Sequence, residues 1–160
     1  LNYKCSSGKQ FLVSDAKEAF EKLCFDAINN GYHIVAISSY RSYNHQQILY
    51  NNYVKKDGVK YADRYSSRAG FSDHQTGLVV DVAKYNHIFT GFINTKEYIW
   101  MKDNAHKYGF ILRYPKNKED ITGYMFESWH YRYVGIDIAN YIYENNITYE
   151  EYFVKFLDNK

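Results

Sequence analysis

The amino-acid sequence predicts a single domain in which helices are combined with a small sheet. The chain has 160 residues, a length typical of one domain with a modest hydrophobic core. Short runs of β-branched and aromatic residues are interspersed with segments whose apolar residues recur at helical spacing. The sequence contains no internal repeat, no low-complexity tract and no sign of a second domain, so residues 1–160 are treated as one unit.

The first predicted element is a helix over residues 15–30. Its apolar residues recur at helical spacing, and Asp15 and Glu18 have the spacing of a capping box. Gly31 follows the last of these apolar residues, where the C-cap of a helix is expected. We predict that this helix packs on a sheet.

The remaining elements are predicted from the same patterns. Segment 58–73 has little periodicity and predicts a long loop, whose length suggests a function. The predicted strands are 33–39, 78–83, 110–114, 124–126 and 129–134, and the further predicted helices are one from about 47 that ends at Gly58, then 95–108, 136–145 and 148–158.

The composition disfavours two classes of function. The formal net charge is +2, without a long basic block, which is not the pattern of a nucleic-acid-binding protein. No apolar run approaches the roughly 20 residues that a membrane span needs. The 19 Tyr, 10 Phe and 2 Trp residues fit either the codon usage of an AT-rich genome or an aromatic surface for sugars or a peptide, and composition cannot separate these.

Cys5 and Cys24 are the only cysteines and lack the spacing of a thiolate metal pair. Cys24 falls on the apolar face of the first helix, where a buried, inert thiol is the first interpretation. A Cys5–Cys24 disulfide is the alternative if the protein is exported. The sequence starts at Leu1 without a signal-like segment, and a signal peptide or anchor removed from it stays an open alternative.

The segment from Phe71 to Asp81 carries the main functional prediction. It places His74 and Asp81 on either side of Gly77, with an apolar run before the aspartate, as expected for a tight turn that leads into a strand. A second segment contains Glu127 and His130. Two neutral imidazoles and one carboxylate, with a fourth position open to water, are a common ligand set for catalytic zinc.

A zinc site with a free carboxylate beside it can hydrolyse a peptide bond. The metal lowers the pKa of a bound water, and a carboxylate that is not a ligand can transfer the proton of that water to the leaving amine. Spacing alone leaves open whether Glu127 is the base and Asp81 the ligand, or the reverse. A covalent mechanism is disfavoured because neither cysteine lies near a histidine and no Gly-x-Ser-x-Gly elbow occurs.

Three segments of the chain resemble the VanY-type D-alanyl-D-alanine carboxypeptidases, within a group of zinc peptidases that includes VanX-type dipeptidases and L,D-carboxypeptidases. The resemblance covers about residues 32–136. Asp73 stands where Glu is usual in that group, and Ser128 stands where Pro is common. The matching segments are Ser39–Ser42 with Gln46, Ser72–Asp81 and Glu127–Gly135.

The resemblance implies a fold and a role for each site residue. The fold is a small α+β domain with a central antiparallel sheet flanked by helices and a metal site on the open face of the sheet. Glu127 is the general base and acid, and Arg41 contacts the substrate or the developing oxyanion. The implied zinc ligands are His74, Asp81 and His130, and the further peptide-site positions are Ser39, Gln46, Ser72 and Trp129.

The function implied is that of a zinc carboxypeptidase that releases C-terminal D-alanine from a peptidoglycan stem peptide or a D-Ala-D-Ala-terminated precursor. An L,D-carboxypeptidase or a D,D-dipeptidase with the same site is one alternative, and a non-catalytic cell-wall-binding module is another. We expect a monomer without a nucleic-acid partner. An extracellular or cell-envelope location fits a wall substrate, whereas a precursor-editing enzyme could be cytoplasmic.

Overall fold

A computed structural model describes residues 1–158 as four antiparallel strands surrounded by helices, with the strands in the order β1-β2-β4-β3. The strands are β1 (Ile34–Ser38), β2 (Val79–Lys84), β3 (Phe110–Leu112) and β4 (His130–Tyr133). The α-helices are α1 (Ser14–Asn29), α2 (Tyr43–Asp57), α3 (Val59–Ala62), α4 (Lys96–Asn104), α5 (Glu119–Thr122), α6 (Ile136–Asn145) and α7 (Tyr149–Phe156). Three 3-10 helices cover Asp73–Thr76, Phe89–Asn94 and Ala105–Tyr108. This arrangement confirms the predicted α+β fold.

The two faces of the sheet have different roles. Val80 and Val82 of β2 belong to the main hydrophobic core together with Phe20 and Leu23 of α1. Because side chains alternate along a strand, Asp81 lies on the opposite face. One face of the sheet therefore covers the main core, and the other face carries Asp81.

Helix α1 lies where the sequence predicts a helix, but its N-terminus differs. The helix begins at Ser14 with Val13 as its N-cap, and no side-chain hydrogen bond caps it, so the predicted capping box of Asp15 and Glu18 is not formed. The amide of Val13 instead donates to the carbonyl of Gly77 at 3.0 Å. The start of α1 is thus set by a contact with the turn that precedes β2.

The predicted strand 124–126 is wrong. Strand β4 pairs with β2 on one edge and with β3 on the other, so neither edge is open to a further strand. The amide of Met125 donates instead to the carbonyl of Arg64 at 2.8 Å, which ties this segment to the long connection after α2. That connection is not entirely a loop, because it contains α3 and ends in the Asp73–Thr76 3-10 helix.

The N-terminal segment runs beside β1 and is covalently attached to α1. The amide of Ala36 donates to the carbonyl of Cys5 at 2.8 Å, and the amide of Ser7 donates to the carbonyl of Ala36 at 2.8 Å. Cys5 and Cys24 form a disulfide, so the first interpretation of Cys24 as a free thiol is wrong. The contact with β1 brings Cys5 next to α1, an approach that the spacing of the cysteines does not encode.

Within residues 1–158, no helix has both the length and the apolar character that crossing a membrane requires.

Gly109 is a position where only glycine fits, and its substitution tests the junction between the last 3-10 helix and β3. Its φ is +84°, and an added Cβ would lie 2.7 Å from Cε2 of Tyr133 and 3.0 Å from the carbonyl carbon of Gly135. We expect Gly109→Ala to lower the free energy of unfolding by about 3 kcal/mol, from left-handed strain and overpacking together. Denaturant titration measures this change.

Gly31→Ala is the matched control because Gly31 also has a φ of +84° but no atom within 4 Å of an added Cβ. It should cost only the conformational term of about 1 kcal/mol. Equal losses in the two variants would contradict the assignment of Gly109 to a close backbone contact.

Candidate active site

His74 is held in one orientation by the turn that carries it. Ser72 caps the Asp73–Thr76 3-10 helix by accepting a hydrogen bond from the amide of His74 at 3.3 Å. Nδ1 of His74 lies 2.7 Å from the carbonyl oxygen of Ser39. A carbonyl oxygen only accepts, so Nδ1 carries the proton and Nε2 keeps its lone pair. Gly77 ends the turn with a φ of +70°, and the chain then enters β2.

Asp81 and His130 face each other across two neighbouring strands. They are register partners in the antiparallel pair of β2 and β4, and their side chains therefore share the open face of the sheet. Oδ1 of Asp81 lies 3.2 Å from Nδ1 of His130, and Oδ2 lies 3.3 Å from Nε2 of His74. One carboxylate thus bridges the two imidazoles that the sequence predicts to be ligands.

The donor atoms of His74, Asp81 and His130 fit a single metal ion. One ligand atom from each residue lies within 4.8 Å of the others. Zinc binds such donors at about 2.0–2.2 Å in a tetrahedral arrangement, which places ligand atoms about 3.4 Å apart. Oδ1 of Asp81 is buried and makes no hydrogen bond to a described residue, despite its short distance to Nδ1 of His130. Such a short contact without a hydrogen bond is expected when Oδ1 of Asp81 and Nδ1 of His130 both bind the same metal ion.

The electrostatics of the site favour positive charge between these residues. Burial raises the pKa of Asp81, but His74 and His130 outweigh burial and hold that pKa well below its usual range. Burial lowers the pKa of His130, but Asp73, Asp81 and Glu127 raise it to about 9. The site therefore stabilises a cation at this point, a role that a proton or a divalent metal ion can fill.

Glu127 lies beside the three candidate metal ligands, where the predicted general base is expected. Its side chain is buried, and Oε2 lies 3.4 Å from Nδ1 of His130. Asp81 approaches both histidines, whereas Glu127, among the described residues, forms an ion pair with His130 but not with His74. Burial raises the pKa of Glu127 to about 7, with Asp81 adding to this effect and His130 and Arg41 opposing it. A pKa near neutrality suits proton transfer in both directions.

Arg41 follows β1 and extends over the same cavity. Its Nη1 donates to Oε1 of Gln46 at 2.7 Å, and its Nη2 donates to Oγ of Ser38 at 3.0 Å. Nη2 also lies 3.9 Å from Oδ2 of Asp81. Burial lowers the pKa of Arg41 and Asp81 opposes this, yet a guanidinium remains protonated in proteins. Arg41 therefore supplies a fixed positive charge beside the predicted metal ligands.

Three of the four further residues predicted for the peptide site line the cavity, and Ser39 does not. Ser72, Gln46 and Trp129 line a cavity of about 670 Å³ that also contains His74, Asp81, Glu127 and His130. Gln46 is buried, and its Nε2 donates to the carbonyl of Ser67 at 2.6 Å. Its amide is thereby fixed in the orientation that accepts the hydrogen bond from Arg41. The hydroxyl of Ser39 faces away, donating to Oε1 of Gln10 at 2.8 Å and accepting from the amide of Phe11 at 2.8 Å.

Sequence reasoning did not identify the residues that support His130. Asp73, Arg113 and Arg132 form ion pairs behind this histidine, and the ring of Tyr114 packs against it at a centroid distance of 4.8 Å. The sequence drew attention to Asp73 only because it replaces the Glu that is usual beside the first histidine. No sequence pattern pointed to Arg113 or Arg132, because each pairs with a residue that is distant in sequence.

The chain is similar to several carboxypeptidases. The family model VanY, described as D-alanyl-D-alanine carboxypeptidase, matches residues 9–136. A D-alanyl-D-alanine carboxypeptidase of Enterococcus faecium is 36% identical over 143 residues, which are 89% of this chain and 44% of the relative. The chain spans about half the length of the curated relatives that it matches.

Two solved structures extend the comparison. The LdcB LD-carboxypeptidase, whose structure concerns peptidoglycan recognition, superposes with a TM-score of 0.84 at 42% identity, covering 90% of this chain and 69% of that chain. A zinc-bound mutant of the D,D-pentapeptidase VanY from a VanB-type vancomycin-resistance cassette superposes with a TM-score of 0.81 at 30% identity. That match covers 95% of this chain and 89% of the other.

Replacement of Asp81 tests the metal site. In Asp81→Asn a neutral amide replaces the carboxylate that bridges both histidines. We therefore expect zinc affinity to fall by at least about 100-fold, more than is typical for the loss of a residue that only hydrogen-bonds to a metal ligand. Competition with a chromophoric chelator measures the affinity.

The exposed Asp103 provides the control, since Asp103→Asn removes the same charge away from the cavity. It should bind zinc as the wild type does. Wild-type affinity in Asp81→Asn would remove Asp81 from the ligand set.

Proposed function

Since the chain belongs to the VanY family of D-alanyl-D-alanine carboxypeptidases, we propose that it is a zinc-dependent carboxypeptidase that removes C-terminal D-alanine from peptidoglycan stem peptides or their precursors. One observation carries the proposal. His74, Asp81 and His130 converge within one cavity that also holds the buried carboxylate of Glu127. Binding alone does not require a general base beside the ligands, so this arrangement argues against a non-catalytic wall-binding module.

The proposed chemistry divides between the metal and the protein. When bound to His74, Asp81 and His130, zinc supplies a water of lowered pKa and polarises the scissile carbonyl. Glu127 takes the proton from the attacking water and returns it to the leaving amine of D-alanine. Its desolvated position keeps its pKa close to neutrality, which lets one carboxyl group act as base and then as acid.

Arg41 contributes a charge that the reaction requires. Its contacts with Gln46 and Ser38 fix the guanidinium and leave further N–H donors for an anion. Such a preorganised donor stabilises the negative charge that develops on the carbonyl oxygen, or holds the terminal carboxylate of the substrate. Gln46 is a positioning residue in this scheme, because it acts on the substrate through Arg41.

Two cuts of the stem peptide fit this site. The family model and the Enterococcus faecium relative favour a D,D-carboxypeptidase that acts on a D-Ala-D-Ala terminus. The 42% identity to the LdcB LD-carboxypeptidase favours an L,D-carboxypeptidase as the second candidate. Both cuts release D-alanine from the C-terminus and use the same metal, base and arginine, so they differ only in the residue that precedes the scissile bond.

The disulfide supports an extracytoplasmic location. Disulfides persist in oxidising compartments and are rare in the cytosol, and the Cys5–Cys24 bond joins the N-terminal segment to α1. An extracytoplasmic location also suits an enzyme whose substrate is the assembled cell wall. We propose that the domain acts there as a monomer.

Glu127→Gln tests the proposed base. The substitution keeps the shape of the side chain but removes its capacity to take a proton, so we expect D-alanine release to fall by about 10²–10⁴-fold while zinc remains bound. D-alanine release and zinc content are measured on the same preparations. Glu144→Gln, on the exposed surface of α6, is the control and should keep full activity. Undiminished activity of Glu127→Gln would reject the assignment.

A substrate panel separates the proposed cuts. Stem pentapeptide, stem tetrapeptide and free D-Ala-D-Ala are incubated side by side with the zinc-loaded protein, and product masses are recorded. Shortening of the pentapeptide by one D-alanine, with little cleavage of the other two, is the expected result. Preferential cleavage of the tetrapeptide would establish the L,D-carboxypeptidase instead, and cleavage of the free dipeptide would establish a D,D-dipeptidase.

A further inference from the structure

A group of four charged side chains lies behind His130, beside the edge of its ring that faces away from Asp81. We call Asp73, Arg113, Arg132 and Glu150 the Asp73 cluster. Nη1 of Arg132 donates to Oδ1 of Asp73 at 2.6 Å, and Nε of Arg113 donates to Oδ2 at 3.1 Å. Nη2 of Arg113 donates to Oε1 of Glu150 at 2.6 Å. The two carboxylates thus balance the two guanidinium groups.

The cluster is largely withdrawn from water. The side chains of Asp73, Arg113 and Arg132 are only 14%, 11% and 16% exposed. Burying an ion network of this kind is often no more stabilising than packing apolar residues of similar volume. Stability alone therefore gives a weak reason for placing three charges at this point, and their position next to a metal ligand gives a stronger one.

His130 has one unsatisfied ring nitrogen, and it faces Asp73. Nδ1 of His130 points to Asp81 and Glu127, whereas Nε2 is buried without a hydrogen bond to any described residue. Oδ2 of Asp73 lies 4.0 Å from Nε2, which is an ion-pair distance rather than a hydrogen bond. A neutral imidazole that binds metal through Nδ1 carries its proton on Nε2, and a carboxylate on that side favours this tautomer.

Asp73 also joins the two segments that carry the histidines. It directly precedes His74, while its partner Arg132 lies two residues beyond His130 on the same face of β4. The amide of Arg113 donates to the carbonyl of His130 at 3.1 Å. The ion pairs of Asp73 therefore connect the Asp73–Thr76 3-10 helix to β4 and set the distance between His74 and His130.

We propose that Asp73 is a positioning residue of the metal site: its carboxylate selects the tautomer of His130 that binds through Nδ1 and holds the two histidine-bearing segments together. The proposal rests on the proposed zinc site. Asp73 acts through His130 and need not touch the substrate. The wider cluster reaches α7 through Glu150, which lies beyond residues 9–136 that match the family model.

Zinc affinity of the full chain tests this role. Competition with a chromophoric chelator is measured for the wild type, Asp73→Asn, Asp73→Glu and Glu150→Gln. Loss of a residue that orients a metal ligand typically weakens metal binding by about 10–100-fold, and we expect a loss of this size for Asp73→Asn. Asp73→Glu should keep wild-type affinity, since its longer side chain can cross the 4.0 Å gap to Nε2.

Glu150→Gln is the matched control because it disrupts the same cluster without approaching His130. If the cluster only stabilises the fold, Asp73→Asn and Glu150→Gln will lower the thermal stability of the EDTA-treated protein and will change zinc affinity alike. Our proposal requires that zinc affinity falls in Asp73→Asn alone. Equal affinities in these two variants, or an Asp73→Glu variant as weak as Asp73→Asn, would overturn it.

A measurement on the wild type covers the case in which Asp73→Asn does not fold. Imidazole ¹⁵N NMR of the zinc-loaded protein should show His130 bound through Nδ1 and protonated at Nε2. Metal bound at Nε2, or a wild type that binds no zinc, would overturn the proposal. The proposed function fails separately: zinc affinity that depends on Asp73, in a protein that cleaves none of the three peptides, would reject the peptidase while the role of Asp73 stands.

Discussion

The pairing of β2 with β4 is the constraint on which the rest of the site depends. Asp81 and His130 are opposite each other in this antiparallel ladder, so backbone hydrogen bonds set the distance between the carboxylate and the imidazole. A slip of one residue would turn Asp81 into the core and bring Val80 or Val82 to the open face. The hydrophobic core under α1 prevents that slip, because burial of these valines specifies the register. Apolar packing on one face of the sheet thereby fixes the geometry of the candidate metal site on the other.

The remaining site residues are attached to this ladder by contacts with connecting segments. His74 reaches the open face through a capped 3-10 turn, and its tautomer is set by a carbonyl at the end of β1. The N-terminal segment supports that end of β1 through Gln10 and Phe11, which hydrogen-bond to Ser39. The disulfide secures this segment to α1. The N-terminal residues thus contribute to the site although none of residues 1–13 lines its cavity.

Charge is distributed around the site in two layers. The inner layer has carboxylates on Asp81 and Glu127, which favour a cation between the imidazoles, and the guanidinium of Arg41, which favours an anion nearby. The outer layer pairs Asp73 with Arg113 and Arg132, so the charge behind His130 is compensated. Isolated buried charges are costly, and the inner layer is tolerated because each charge lies near a group of opposite charge. This arrangement is suited to a hydrolytic reaction in which negative charge develops on a carbonyl oxygen.

The sequence alone located most of the helices and strands and identified the motif residues. Periodicity located the strands that became β1, β2, β3 and β4, and the two histidine-containing motifs identified the residues that converge in the cavity. The tertiary structure alone decided the strand order, the choice of Asp81 rather than Glu127 as the carboxylate that bridges both histidines, and the pairing of Cys5 with Cys24. It also excluded the predicted strand 124–126 and revealed the ion pairs of Asp73. The physical reason is that local patterns encode backbone periodicity and burial, whereas contacts between residues distant in sequence depend on which strand edges and side chains packing brings together.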